Sequence, residues 1–172
     1  VTLGISSFSR FLSWSAPTAL MLAGCSAQGA AETPAAPAEK QTAAVHPQSG
    51  LEVIPLTVTK QDGSEHAFRV EVAATQESQR QGLMFRTSMG ADEGMIFPFP
   101  QPRMASFWMR NTVIPLDIIF VGPDGRILNI AANTVPYSEE SVRSVGPAGA
   151  VLELNAGRTA ELGIAADDLV EW

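Results

Sequence analysis

A chain of 172 residues that is 45% hydrophobic and 17% charged is one globular domain with appendages, since a single core saturates well above this length. Its formal charge of −7, with Lys40 and Lys60 as the only lysines, excludes a phosphate-neutralising surface for nucleic acid and a basic patch for an anionic membrane. The lone cysteine, Cys25, excludes an intrachain disulfide and leaves the compartment to be read from the N-terminus.

Residues 11–24, FLSWSAPTALMLAG, form an apolar run after one cation, Arg10. The run is too short and too broken by Ser and Pro to span a bilayer, which takes about 20 apolar residues. It has the length of a signal-peptide core. It closes in LAGC, Leu22 to Cys25, which resembles the lipobox of bacterial lipoproteins. That resemblance implies cleavage before Cys25, diacylglycerol on its thiol and an acylated amino group. Residues 1–24 are therefore expected to be a signal peptide and Cys25 a membrane anchor; the competing reading is a buried free cysteine after a hydrophobic helix. Ser26, where retention at the inner membrane would use Asp, fits an outer-membrane location facing the periplasm. Acyl chains at about 0.8 kcal/mol per buried methylene make such an anchor effectively permanent. From Cys25 to Gly50 the chain is rich in Ala, Pro, Gln and Thr without apolar periodicity, the composition of a disordered tether. Fully extended, it would reach on the order of 75 Å.

From Leu51 the texture changes to short β-rich runs. Residues 51–60 and 65–73 flank Asp62-Gly63, a hairpin turn. In the second run Phe68, Val70 and Val72 share a face, opposite Arg69 and Glu71. Residues 74–82 read as a short helix with Thr75 as its cap and Gly82 as its stop. Strands are expected over 93–99, 104–112, 114–121 and 126–134, with GPDG (122–125) turning the third into the fourth. A loop over 135–148 leads into a strand at 150–155, then a short helix ending at Gly163, and DLVEW closes the chain. About eight or nine short strands with one or two short helices predict a mainly β domain over 51–172, an antiparallel sandwich or squat barrel.

The blocks RQGLMFR (80–86), GMIF (94–97), FWMRNT (107–112), PLDIIF (115–120) and VLELNAG (151–157) resemble, in order, those of the domain of unknown function 192 family of bacteria and archaea. The resemblance covers about residues 66–172 and implies a compact, mainly β, often exported domain, with no established reaction or ligand to carry over. The family commonly has a Gly-Asp pair in its last turn. Here Asp167 precedes Asp168, and Asp tolerates positive φ less well than Gly.

FWMRNTVIPLDIIF (107–120) reads as a buried strand that nevertheless carries Arg110, Asn111 and Asp117. As one strand, Phe107, Met109, Asn111 and Val113 would share a face opposite Trp108, Arg110 and Thr112. Asp117 sits among apolar neighbours, as do Glu71 in VEVA and Glu153 in VLELN. A buried carboxylate must find a cation or donors, or become protonated. One expectation is buried ion pairs to the nearby arginines, Arg80, Arg86, Arg103 and Arg110. The sharper one is a ligand cleft built from Glu71, Arg86, Trp108, Asn111, Asp117 and Glu153, with Trp stacking on a sugar ring and Asn reading hydroxyls. Two carboxylates flanking such a cleft would suit glycoside hydrolysis.

Other chemistry has thinner support. His46 lies in the tether and His66 has no ligand at metal spacing, so zinc is not expected. Met84, Met89, Met95, Met104 and Met109 could hold Cu(I) in an envelope protein, but irregular spacing reads first as core filling. Gly82, Gly90 and Gly94 form no phosphate-cradling loop, so no nucleotide or other cofactor is implied. No nucleophile–base motif supports an enzyme. The sequence points to a lipid-anchored, non-enzymatic envelope domain that binds a glycan or a protein partner, ahead of a carboxylate-dependent glycan hydrolase and a copper binder.

Overall fold

The computed structural model describes residues 44–172. The expected signal peptide, Cys25 and tether residues 26–43 lie outside the described residues. Eight strands and two short helices follow in chain order: β1 Ala44–Val45, β2 Glu52–Thr59, β3 Glu65–Val72, α1 Gln76–Gln81, β4 Glu93–Phe107, β5 Leu116–Val121, β6 Ile127–Ala131, β7 Val142–Asn155, α2 Arg158–Leu162 and β8 Leu169–Glu171. The fold is mainly β. Residues 44–50, read from the sequence as tether, form β1 and a turn: Ala44 and Val45 pair with Val53 and Glu52 at the sheet edge. Composition marks 44–50 as unable to order itself, and it orders by adding to an existing strand.

All strands join one mixed sheet, in the order β1-β2-β3-β4-β7-β5-β6, with β8 added to β2. The ladders do not close into a barrel; the far ends approach at an isolated bridge between Arg126 and Leu169. Local signals act as their chemistry dictates. Lys60 to Ser64 turns β2 into β3, with Gly63 at φ 82°, and Gly125 at φ 81° serves the 122–125 turn. Thr75 caps α1 by accepting from the Ser78 N–H, while Ser78 reaches back to the Thr75 backbone. Asp167 does stand at φ 70°, a conformation that suits Gly better.

Four expectations are corrected. The sheet is not wholly antiparallel, since β3 and β4 run parallel. Parallel neighbours need a crossover of a dozen or more residues, and the segment carrying α1 supplies it. The strands expected at 93–99 and 104–112 are one strand, β4, whose register against β7 shifts between Pro98 and Arg103. Prolines cannot donate to a ladder, so the sheet bends through them and pairing resumes at Arg103. β4 ends at Phe107, so Trp108 to Asn111 lie on a loop and not on alternate faces of a strand. β7 likewise starts at Val142, within the expected loop.

Both sheet faces are covered. One core gathers Leu56, Val58, Phe68, Val70, Ile96, Ile119 and Leu152. The other gathers Met95, Phe97, Ile118, Phe120 and Val151. Strand β5, with all six residues buried, faces both cores, which is why its sequence is a continuous apolar run.

Candidate functional site

The three acids set in apolar strands find three different solutions. Asp117 is fully buried, yet no arginine pairs with it among the described residues. Its Oδ1 accepts from the backbone N–H groups of Asn133 (2.8 Å) and Gly157 (3.0 Å). Its Oδ2 accepts from the Thr159 N–H (3.0 Å) and hydroxyl (2.6 Å). It thus ties the end of β6 to the start of α2, where Asn133 (φ 53°) and Gly157 (φ 81°) adopt left-handed conformations. Four donors occupy the carboxylate, and Asp117 is scaffold.

Glu71 makes the ion pair expected of it. Arg86 donates to both carboxylate oxygens, at 2.8 and 3.0 Å, and Ser49 Oγ donates to Oε2. His46 Nδ1 stands 3.6 Å from the same oxygen. The cluster clasps residues 46–49 to the domain.

Glu153 has neither solution. It pairs across the sheet with Met95 and Ile118, on the same face as Glu71, which lies beyond Met95. Its side chain is buried, and its Oε2 has no hydrogen-bond partner among the described residues. Burial pushes the carboxyl up to about 8, so it is protonated at neutral pH and offers an O–H donor.

Glu153 lines a cleft of about 610 Å³. One wall comes from α1, where Gln76, Gln79 and Arg80 share a helix face. Gln79 Nε2 donates to the Pro98 carbonyl (3.0 Å) and docks the helix on β4. The opposite wall carries Arg103, Trp108, Arg110 and Asn111. Below them Phe97 and Phe107 meet edge to face at 5.1 Å, a rigid floor. A second cleft of about 530 Å³ shares Gln81, Gly82 and Met84 with the first and reaches Phe85 and Arg86.

Exposed aromatic residues stand at the first cleft (Trp108), at the second (Phe85) and on a loop bonded to Thr112 of the first (Tyr137). Trp108 is 47% exposed, Phe85 62% and Tyr137 61%. Their loops are joined: the Phe85 N–H donates to the Asn111 carbonyl (2.9 Å) and the Tyr137 N–H to the Thr112 carbonyl (3.2 Å). Phe85 (φ 61°), Asn111 (φ 56°) and Tyr137 (φ 61°) all hold positive φ. Strain of this kind in side-chain-bearing residues concentrates at ligand sites.

The structure brings Trp108, Asn111 and Glu153 together. It places Arg86 by the second cleft, Glu71 on a separate small pocket with His46 and Arg69, and Asp117 in the scaffold. Arg80, Arg103 and Arg110, expected as partners of the acids, line the cleft instead. Phe85 and Tyr137 escaped sequence reasoning, because nothing in an aromatic residue's neighbours announces positive φ. The methionines scatter: Met95 and Met109 are core, Met104 is 62% exposed and Met84 lines the cleft. Among the described residues no His, Cys, Asp and Glu side chains group as metal ligands.

The sequence profile of the domain of unknown function 192 family, described as an uncharacterized ACR, matches residues 57–172. A crystal structure of a protein of unknown function from Novosphingobium aromaticivorans is similar at 58% identity and a TM-score of 0.74, covering 78% of this chain and 95% of that one. A second, from Sinorhizobium meliloti and described as a candidate transcription regulator, is 39% identical with a TM-score of 0.69, covering 70% of this chain and 94% of its own. No curated protein matches.

Proposed function

The chain belongs to the domain of unknown function 192 family, and from that premise we propose a non-enzymatic binding domain of the bacterial cell envelope that takes a polar, ring-bearing ligand, a glycan, in the Trp108 cleft. The observation that carries this reading is a half-exposed Trp108 set beside Asn111 over a floor where Glu153 is buried without a partner for its Oε2. An indole face offers apolar contact to a sugar ring. Asn111 and the glutamines of α1 offer paired donors and acceptors for hydroxyls, and protonated Glu153 adds a donor. The lipobox at Leu22 to Cys25 supports an outer-membrane anchor facing the periplasm, with residues 26–43 as the connecting tether.

Hydrolysis is the weaker reading. Glycoside cleavage takes a pair of carboxyl groups flanking the bond, and among the described residues Glu153 is the sole carboxyl on this cleft. Glu71 is held by Arg86 and Asp117 by backbone donors. The regulator description of the Sinorhizobium meliloti relative would suggest DNA contact, which 18 acidic against 11 basic residues oppose.

Co-sedimentation of the full-length protein with purified cell-wall glycan tests the proposal. Wild type is expected in the pellet, and Trp108→Ala is expected to weaken binding roughly tenfold through loss of about 1–2 kcal/mol of aromatic contact. Equal sedimentation of Trp108→Ala would assign the binding to another surface.

A further inference from the structure

The cleft's charge narrows its ligand. This chain has more acids than bases, and two arginines outside the cleft are neutralised by them. Arg86 holds Glu71, and Arg158 pairs with Asp92 and Glu161. The three arginines of the cleft are different. Arg80 donates to the neutral Gln76 side chain (3.1 Å). Arg103 lies over the Phe99 ring at 4.1 Å. Arg110 sits 5.7 Å from the Trp108 ring centroid, and its one acidic neighbour, Glu139, is 3.9 Å away with both side chains largely exposed, a weak pair in water. Each guanidinium carries five N–H donors in a fixed fork, so most remain for a ligand.

The Phe99 and Trp108 rings lie close to Arg103 and Arg110, and a guanidinium over a ring keeps its N–H edge free for hydrogen bonds. The cleft's only acid among the described residues, Glu153, is 5% exposed with an unpartnered Oε2. Because burial keeps its carboxyl neutral, the floor does not cancel the cationic walls. Guanidinium forks match planar or tetrahedral oxyanions with two parallel hydrogen bonds.

We propose that the ligand is an acidic saccharide, whose oxyanion, a carboxylate or a phosphate, is received by Arg80, Arg103 and Arg110 while its ring lies against Trp108. This rests on the glycan reading above and adds the charge that reading leaves open. Glu153 contributes a hydrogen bond to the same ligand from below.

The test is calorimetric titration of the full-length protein with probes that separate sugar from charge. These are N-acetylglucosaminyl-N-acetylmuramic acid, which bears a lactyl carboxylate, N-acetylglucosamine 6-phosphate, neutral chitobiose, and the sugar-free anions succinate and inorganic phosphate. At least one acidic sugar is expected to bind about tenfold or more tightly than chitobiose, as a charge-assisted hydrogen-bond pair warrants. Which one does so identifies the oxyanion. The preference is expected to shrink at about 0.5 M salt, where screening acts over a few ångströms. It is also expected to be lost in Arg103→Gln and Arg80→Gln, both surface changes, and kept in Arg126→Gln, whose guanidinium donates to the Asp167 carbonyl outside the cleft. Equal affinity for chitobiose and the acidic sugars would overturn the inference and leave the glycan reading standing. Sugar-free anions binding as tightly as the acidic sugars, or no saccharide binding at millimolar concentration, would overturn both. A preference undiminished in the two arginine variants would also overturn it.

Discussion

Asp117 and Glu153 look alike in sequence, each a single acid in an apolar strand, and the structure gives them opposite characters. Asp117 accepts from donors 16, 40 and 42 residues away. Asn in its place keeps one acceptor oxygen and turns an NH₂ group toward N–H donors. Asp117→Asn is therefore expected to lower unfolding free energy by about 3 kcal/mol in denaturant titration. Glu153 makes stability depend on pH. Its carboxyl titrates at 4.5 when unperturbed and at about 8 in the fold, so the folded state binds the proton more tightly. The stability that proton contributes is fully present below pH 4.5 and is lost as pH rises to about 8, at about 1.4 kcal/mol per unit. Wild type is expected to lose several kcal/mol across that window. Glu153→Gln, isosteric and neutral, should lack that loss and be the more stable of the two at pH 8.5. The anomaly of each acid was legible in the sequence from charge within an apolar alternation. Its resolution was not, because donors so distant in sequence leave no local trace.

Local chemistry announced most elements. Thr75 and Gly82 bound α1, and Asp62-Gly63 and the 122–125 turn reverse the chain where turn residues predict. What escaped was strand length and direction. Three prolines between 98 and 102 read as a break, whereas β4 passes through them with a register shift and so carries Arg103 to the cleft. The parallel β3–β4 pair depends on which way the α1 crossover returns, and strand composition does not encode that. Gly94 shows how tightly the three strands meet. A Cβ there would stand 2.6 Å from the Glu153 carbonyl and 2.8 Å from Leu154 Cδ2. Since the nearer clash is with backbone, β4 and β7 would have to separate. Gly94→Ala is expected to cost about 2–3 kcal/mol, read as a lower denaturation midpoint, and to disturb the Glu153 floor with it.

For the whole molecule, the mainly β class follows from alternation and from the family blocks. One sheet stands where a sandwich or squat barrel was expected, because β4 pairs with β3 on one side and with β7 on the other, contacts no window of sequence contains. The domain begins earlier than composition suggests, since β1 and the Ser49–Glu71–Arg86 cluster fasten 44–50 to it. The proposed anchor has its own test. Palmitate is expected to label the wild-type protein in cells and not Cys25→Ser, and equal labelling would remove the anchor. Of the cleft, Trp108, Asn111 and Glu153 were legible as misfits within apolar blocks. The arginine wall was not, because sequence supplied acids enough to pair every arginine.

Acidic-sugar binding in the Trp108 cleft can be read residue by residue. Its most direct test is amide and side-chain NMR mapping of the full-length protein titrated with N-acetylglucosaminyl-N-acetylmuramic acid. The predicted result is a cluster of shifts at the Trp108 indole N–H, the Asn111 side-chain amide, Gln79 and the backbone around Glu153. Shifts confined to another face, or none at saturating disaccharide, would contradict it.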